Sequence, residues 1–451
     1  MAAARRRHVV TSALVLCTLA AGCTGPAAET PGSSPGTSPA PASPSDPPAE
    51  PVTLTFAVYG SRGSVAAYDE LARSFTKNNP RITVEVERAP DVTDAMASYE
   101  RAYAEGNPPD VFLVDHDHLP ALVEQDMVQP VDGLLEERDL DFGDGYQRDG
   151  LESFAASDAL QCMPHDVSPT VVYYNQDLVD LTRLVEEGET PPNAEDGWTW
   201  EEFSLAARQA SRVKGKGVYI EPTLRALAPF VWSAGADIVD DVQDPTTLTL
   251  SEGDTREALE EVLALVRDPL VTPTRAELAE EDALSRFRQG RLGMILGTRA
   301  LTPTLRAQED LDFDVMPLPS LGRFRTVSDM TGYCISSGTD HVQEAADFLA
   351  FAVGREGATI TSTPGYVVPS NVSVANSPAF SQPGKPPESS FIFNEGVRRT
   401  QPTPFVTEWP ALNARVEPML NRLFYWPVVD LDVLLEDIDT TSQAVLAPEE
   451  E

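Results

Sequence analysis

The stretch from Val52 to Val114 decides the fold class, because strand patterns alternate in it with helix patterns. VTLTFAV at 52–58, ITVEV at 82–86 and DVFLV at 110–114 are short, largely apolar and rich in β-branched residues, as expected of strands. The two segments between them carry apolar residues at helical spacing. This order predicts an α/β domain whose functional loops lie at the carboxyl ends of the strands.

The same alternation continues to the end of the chain. Thr199 and Glu202 form a capping-box pattern that predicts the start of a helix reaching about Val213. We also expect strands at Val171–Tyr174, Met294–Leu296 and Gly332–Ser336, and helices opening at Asp177, at Asp282–Gln289, at Gln343–Val353 and over most of Trp409–Leu446.

Length and charge limit the classes of function. A chain of 451 residues suggests two or three domains. Its 33 basic and 71 acidic residues give a net charge of −38. Such a surface repels phosphate backbones, so we expect no nucleic-acid partner. It also opposes attachment to anionic lipid through charge, so membrane attachment would need an anchor.

The first residues predict that anchor. Arg5–Arg7 precede a short apolar run, Val9–Ala21, which is too short for a permanent membrane span. LAAGC at 19–23 resembles the lipobox of bacterial lipoproteins, which implies removal of 1–22 as a signal peptide and lipidation of Cys23. An ordinary signal peptide containing a cysteine is the alternative. Residues 23–51 are rich in Pro and Ser and predict a disordered tether.

Seven short segments carry a resemblance to a known family. Each is weak alone, but they occur in family order over most of the mature chain: LARSF…NP at 71–80, GNPPDV at 106–111, MP…VYYNQDL at 163–178, WTWEEF at 198–203, FRQGRLGM at 287–294, MPLP at 316–319 and AADFL at 345–349. The sequence is thereby similar to the family 1 extracellular solute-binding proteins, the carbohydrate-binding components of ABC importers.

The resemblance implies a type II periplasmic-binding-protein-like fold, with two discontinuous α/β lobes joined by hinge strands and closing on a ligand. We expect the chain to cross between lobes near Pro164–Val171, Gly297–Ala300 and Val353–Gly357. The expected lobes are 52–166 with 300–353, and 167–299 with 354–451.

The resemblance also implies the function and the partners. It predicts a monomeric lipoprotein on the extracytoplasmic face of the cell membrane that captures a carbohydrate or sugar derivative. Its partners would be ABC permease subunits with a cytoplasmic ATPase. It would perform no catalysis and use no cofactor.

Ligand contacts are expected from loops at strand ends, at the hinge, and from aromatic side chains that stack on sugar rings. The candidates are Ser61, Arg62, Asp115, His116, Asp117, His165, Asp166, Ser168, Trp232, Arg299, Tyr333 and Trp409.

Several candidates have an alternative interpretation. Trp232 and Trp409 are equally compatible with a place in the core. Arg299 stands where many relatives have an aromatic residue, which favours either a ligand with an acid group or an ion pair with Asp166. Tyr333, like Tyr366, is expected either to close the cleft or to pack there.

The rival function is an exported metal-dependent hydrolase. Asp115, His116, Asp117 and His118, with His165–Asp166, are side chains that bind metals. No HExxH, GxSxG, P-loop or dinucleotide pattern accompanies them. Asp117 is also a plausible N-cap for a helix beginning near Leu119.

Two cysteines remain after export, Cys162 and Cys334. An even pair in an oxidising compartment is compatible with a disulfide, and both lie near predicted hinge segments.

Overall fold

The computed structural model describes residues 50–140, 142–186 and 188–447. The predicted signal peptide, Cys23 and nearly all of the predicted tether lie outside them. Residues Glu50–Glu451 belong to one compact unit. Across the described ranges, no helix is both long and apolar enough to cross a bilayer.

Twelve strands are present in the described part of the chain. They are β1 (Val52–Tyr59), β2 (Ile82–Ala89), β3 (Val111–Asp115), β4 (Val128–Gln129), β5 (Ala155–Ala156), β6 (Ala159–Leu160), β7 (Met163–Pro169), β8 (Val171–Asn175), β9 (Lys216–Tyr219), β10 (Leu292–Gly297), β11 (Phe313–Met316) and β12 (Ser328–Ser336).

The helices are α1 (Arg62–Asn78), α2 (Val92–Ala104), α3 (Leu119–Glu124), α4 (Asp132–Glu136), α5 (Arg148–Ser153), α6 (Trp200–Val213), α7 (Leu224–Ala234), α8 (Gly253–Val266), α9 (Arg275–Glu280), α10 (Ala283–Arg288), α11 (Thr302–Arg306), α12 (Val342–Val353), α13 (Arg355–Ser362), α14 (Val372–Ala375), α15 (Pro378–Ser381), α16 (Phe391–Val397), α17 (Trp409–Tyr425) and α18 (Leu431–Leu446). Two short 3-10 helices cover Leu181–Arg183 and Arg299–Leu301.

Two main sheets organise these elements. The first has the order β2-β1-β3-β12-β4, with β7 also paired to β12, and β1 is parallel to both β2 and β3. The second has the order β11-β8-β10-β9. Helices pack on both sheets, and their apolar faces form two buried clusters. The predicted α/β class and the βαβαβ start are confirmed.

The chain passes between the sheets at three adjacent places, near Thr170, Thr326 and Thr400. The Thr170 amide donates to the Val327 carbonyl at 2.8 Å, and the Thr326 amide donates to the Arg399 carbonyl at 3.0 Å. A parallel bridge pairs Thr326 with Thr400. Three backbone segments therefore lie side by side, hydrogen-bonded to one another, between the two sheets.

Of these three passages, only the one near Thr170 coincides with a crossing that we expected from the sequence, at Pro164–Val171. The expected crossing near Gly297–Ala300 is wrong, because β11 follows it and still pairs with β8 in the second sheet. The expected crossing near Val353–Gly357 is wrong as well, since α13 packs against α1 and α12 beside the first sheet. The chain enters the second cluster for the last time only at α17.

Two local predictions also need correction. No helix opens at Asp177, because the Asn175 side chain accepts the Asp177 amide and closes a turn instead. Asp117 is not the N-cap of α3; that position is His118, whose amide donates to Asp115 Oδ1 at 2.9 Å. The capping box of Thr199 and Glu202 is present as predicted at the start of α6.

Candidate functional site

A cavity of about 550 Å³ opens at the carboxyl ends of β1 and β3. Parallel strands direct their following loops to one edge of a sheet, so side chains distant in sequence meet there. Arg225 of α7, Ala300 of the second 3-10 helix and Thr304 of α11 complete this part of the lining. The lining includes Tyr59, Ser61, Ser64, Tyr68, Asp91, Asp115, His116, Asp117, Asp166, Arg225, Thr304, Asp329, Thr331 and Tyr366.

Carboxylates dominate the charged groups of this lining. Asp91, Asp115, Asp117, Asp166 and Asp329 face a single cationic side chain, Arg225, among the described lining residues. Carboxylates accept hydrogen bonds in pairs, and the cavity also offers tyrosine rings. This combination of acceptors and flat apolar faces suits a ligand rich in hydroxyl groups.

Asp115 and Asp117 are each paired with a histidine. Asp115 Oδ1 lies 2.6 Å from His118 Nδ1. Burial alone would lower the pKa of His118, but the hydrogen bond and charge of Asp115 outweigh it, so the pKa is raised. The Asp115 and His118 side chains therefore hold each other in place at the end of β3.

Asp117 accepts from Thr403 Oγ1 at 2.6 Å and lies 3.2 Å from His116 Nδ1. Burial alone would raise the pKa of Asp117, but the hydrogen bond of His116, the charge of Arg225 and the bond from Thr403 leave it lowered. Phe405 packs against the His116 ring at 5.5 Å between centroids. The segment before α17 thus fixes one side of the cavity.

Asp166 is a buried member of the cavity lining. Burial raises the pKa of this carboxyl well above its usual value, against the opposing hydrogen bonds from the Ser168 hydroxyl at 2.6 Å and the Val368 amide at 2.8 Å. Ser168 is itself buried and does not line the cavity. Its role in the structure is to hold Asp166.

His165, the residue before Asp166, is buried and is not among the lining residues. Its ring stacks on Tyr333 at 4.3 Å between centroids, and its Nε2 lies 2.9 Å from Thr331 Oγ1. Burial lowers the pKa of His165 to about 3. The ring is therefore neutral near pH 7, and Tyr333 is a packing residue with 1% of its surface exposed.

The structure brings together only part of the predicted site. Ser61, Asp115, His116, Asp117 and Asp166 line the cavity, and so does Tyr366, one of the residues with two interpretations. Their contact with a ligand stays a prediction. Arg62 is exposed at the start of α1 and lies outside this lining.

The two tryptophans lie in the core and do not reach the cavity. Trp232 and Trp409 are each 1% exposed and belong to the cluster beside the second sheet. The Trp232 indole donates to Asp237 Oδ1 at 2.9 Å, which satisfies its polar group. We therefore leave both out of the candidate site.

Arg299 is fully buried and fits neither sequence interpretation. Its guanidinium donates to Ser390 Oγ at 3.1 Å and to the Phe380 carbonyl at 2.9 Å, and it lies over the rings of Phe380 and Phe393. Burial lowers the pKa of Arg299 to about 10. No carboxylate is among these described partners, so the argument for an acidic sugar loses its support.

The predicted metal-binding side chains do not form a metal site in the described structure, although Asp115, His116, Asp117 and Asp166 line the same cavity. Those at the end of β3 form two Asp–His pairs, while His165 contacts Tyr68, Thr331 and Tyr333. Within the residues described, no group of three or more His, Cys, Asp or Glu is arranged to hold a metal. This geometry does not favour the hydrolase alternative.

Sequence reasoning missed Tyr59, Tyr68, Asp91, Arg225 and Asp329. Tyr59 and Asp91 follow the strand-end logic and were within its reach, because they end β1 and follow β2. Arg225 lies in the first turn of α7, beside the second sheet, and no pattern in the sequence places it next to β12.

Cys162 and Cys334 are bonded as a disulfide, with Cα atoms 4.4 Å apart. They connect the residue before β7 to the interior of β12, which are neighbouring strands of the first sheet. The bond lies away from the cavity lining.

Solved structures of the same fold cover nearly all of the described chain. The Listeria monocytogenes ABC substrate-binding protein Lmo0181, in complex with cycloalternan, is 20% identical with a TM-score of 0.75, over 87% of this chain and 98% of that one. The GacH receptor of Streptomyces glaucescens, studied with acarbose, is 18% identical with a TM-score of 0.72, over 89% and 100%. T. maritima MalE3 bound to maltose is 17% identical with a TM-score of 0.71, over 87% and 99%.

These likenesses confirm the two-lobed periplasmic-binding-protein-like fold that the sequence predicts. A binding protein of Brucella abortus (strain 2308) is 23% identical over 316 residues, which cover 66% of this chain and 71% of that protein. Residues 70–387 match the family model described as bacterial extracellular solute-binding protein. The chain therefore belongs to the bacterial extracellular solute-binding proteins.

Proposed function

We propose that this protein is the binding component of an ABC importer and captures a carbohydrate in the cavity at the ends of β1 and β3. The observation that carries the proposal is the lining itself, in which five carboxylates and three tyrosines surround about 550 Å³. Structural neighbours bound to or studied with cycloalternan, acarbose and maltose support the choice of ligand class.

The proposed mechanism is closure of two lobes without chemistry. We take the three adjacent segments at Thr170, Thr326 and Thr400 as the hinge, because they are the passages between the two sheets. A ligand that contacts both walls favours the closed arrangement by its differential affinity for that state. A permease with a cytoplasmic ATPase would then receive the ligand from the closed form.

The proposal includes a lipid anchor on Cys23 at the extracytoplasmic face of the membrane, carried on the Pro- and Ser-rich tether as a monomer. It rests on the lipobox-like LAAGC at 19–23. Cys23→Ala should move the protein from the membrane fraction to the soluble fraction. Equal membrane association of both forms would exclude the anchor.

The ligand class is tested by thermal shift with maltose, maltotriose, maltotetraose and acarbose. A ligand that binds only the folded state raises the apparent unfolding temperature. We expect at least one saccharide to raise it in a concentration-dependent manner. No shift with any member, together with a shift from a non-carbohydrate solute, would reject the carbohydrate assignment.

The place of binding is tested by Tyr366→Ala. Tyr366 lines the cavity and forms no described hydrogen bond. Removing the ring should weaken binding about tenfold, since aromatic contacts contribute about 0.5–1.5 kcal/mol beyond their buried area. Trp426→Ala is the matched control, because Trp426 is 47% exposed and outside the cavity. Equal effects of both changes in calorimetry would place the ligand elsewhere.

A further inference from the structure

A second cavity of about 690 Å³ lies at the carboxyl ends of β9 and β10. Its polar lining includes Glu221, Thr223, Asp282 and Thr298. We call it the second compartment, and the cavity at β1 and β3 the first compartment. Among the described residues, only Arg225 and Asp329 line both compartments.

These two side chains form an ion pair at the boundary between the compartments. Arg225 Nη2 lies 2.6 Å from Asp329 Oδ1. Arg225 comes from α7, beside the second sheet, and Asp329 comes from β12 of the first sheet, directly after the passage at Thr326. The pair therefore joins α7, beside the second sheet, to β12 of the first sheet.

The contact is not an aligned hydrogen bond. Arg225 Nη2 is buried and has no acceptor at hydrogen-bonding angles in the described structure. The Asp329 side chain is about half exposed, with 51% of its surface accessible. A guanidinium with an unused donor, paired to a half-exposed carboxylate, readily exchanges that partner for a ligand oxygen.

Arg225 is also the one cationic side chain among the described lining residues of either compartment. Asp117 of the first compartment and Glu221 of the second both experience its charge. Asp329 thus competes with any occupant for the one arginine that the described linings of the two compartments contain.

We propose that the Arg225–Asp329 ion pair divides the cleft and determines the length of ligand it accepts. The inference rests on the proposed carbohydrate function. A short saccharide occupies one compartment and leaves the pair intact. A longer one extends through the boundary, separates the two side chains and takes the donors of Arg225. Asp329 therefore acts as a specificity-determining residue that disfavours long ligands.

Calorimetry with maltose and maltotetraose tests this inference through the ratio of their affinities. In Asp329→Asn, the preference for maltotetraose over maltose should rise about two- to fivefold, the range expected of a partly exposed ion pair. Arg225→Gln removes the pair together with the donors that a longer ligand would take, so this variant should not gain affinity for maltotetraose, and its affinity for maltose should stay nearly unchanged. Raising the salt concentration should increase the ratio in the natural protein but not in the variants.

Arg208→Gln is the matched control, because Arg208 pairs with Asp268 at 2.9 Å outside both compartments. It should leave the ratio unchanged. An unchanged ratio in Asp329→Asn, or a raised affinity of Arg225→Gln for maltotetraose, with binding retained, would overturn the length selection alone. Failure of the natural protein to bind either saccharide would instead overturn the carbohydrate function and this inference with it.

Discussion

At the scale of single residues, His165 makes stability depend on pH. The unfolded chain takes up a proton near the usual pKa of 6.5, whereas burial keeps the folded His165 neutral down to about 3. The contribution of the neutral ring is therefore complete above about pH 6.5 and is lost as the pH falls toward 3. His165→Gln should reduce the loss of stability between pH 7 and pH 4.5 by up to about 2–3 kcal/mol.

Urea denaturation at the two pH values measures this difference. Asp166 changes the free energy of unfolding in the opposite direction on acidification, because its raised pKa means that the folded state holds the proton more tightly than the unfolded chain does. It is unchanged in the variant, so its contribution remains in both measurements. His341→Gln is the control, since His341 is only half-buried at the start of α12. If the free energy of unfolding falls equally in His165→Gln and in the natural protein between pH 7 and pH 4.5, His165 is not the source of the pH dependence.

The sequence located those site residues that follow directly from strand order. Ser61 and Asp115 are at strand ends, where a parallel sheet gathers its loops. Trp232 and Arg299 were misplaced for a different reason. An aromatic side chain within a helix, or a charged one after a strand, can point into the core as easily as into the cleft, and only the packing around it decides. Arg225 gave no local signal at all.

At the scale of elements, the contact of β9 with α6 depends on Gly217. A Cβ atom there would lie 1.9 Å from the carbonyl oxygen of Ala207, which belongs to the helix backbone. Backbone cannot rotate away as a side chain can, so Gly217→Ala must separate α6 from β9. We expect a loss of about 1–3 kcal/mol in the free energy of unfolding.

Chemical denaturation of Gly217→Ala and Gly253→Ala provides the comparison. Gly253 opens α8, and a Cβ atom there meets nothing within 4 Å. Gly253→Ala therefore measures the effect of replacing a glycine where the added Cβ atom meets no neighbour. Similar stabilities of the two variants would show that α6 and β9 tolerate the extra atom.

Elements with strong local signals were predicted well, and those made by distant contacts were not. The capping box at Thr199 fixes the start of α6 through bonds within one turn. By contrast, β11 is only four residues long and is buried by its pairing with β8. Its place in the second sheet depends on a partner far away in sequence. That omission displaced the second predicted crossing and hence the lobe boundaries.

At the scale of the whole molecule, the bond of Cys162 to Cys334 joins residues 172 positions apart and closes a loop that contains all four strands of the second sheet. A cross-link over so long a loop restricts the unfolded chain strongly and should contribute about 2–5 kcal/mol. Replacing both cysteines with alanine in the Glu50–Glu451 unit should lower the free energy of unfolding by that amount. Reductant should destabilise the natural unit similarly and leave the double variant unchanged.

Alkylation of the denatured, unreduced unit tests whether the disulfide forms, because two labelled thiols would mean that it does not. Since the disulfide lies within the first sheet, away from the hinge segments, its loss should weaken the fold without altering ligand affinity measured well below the unfolding temperature.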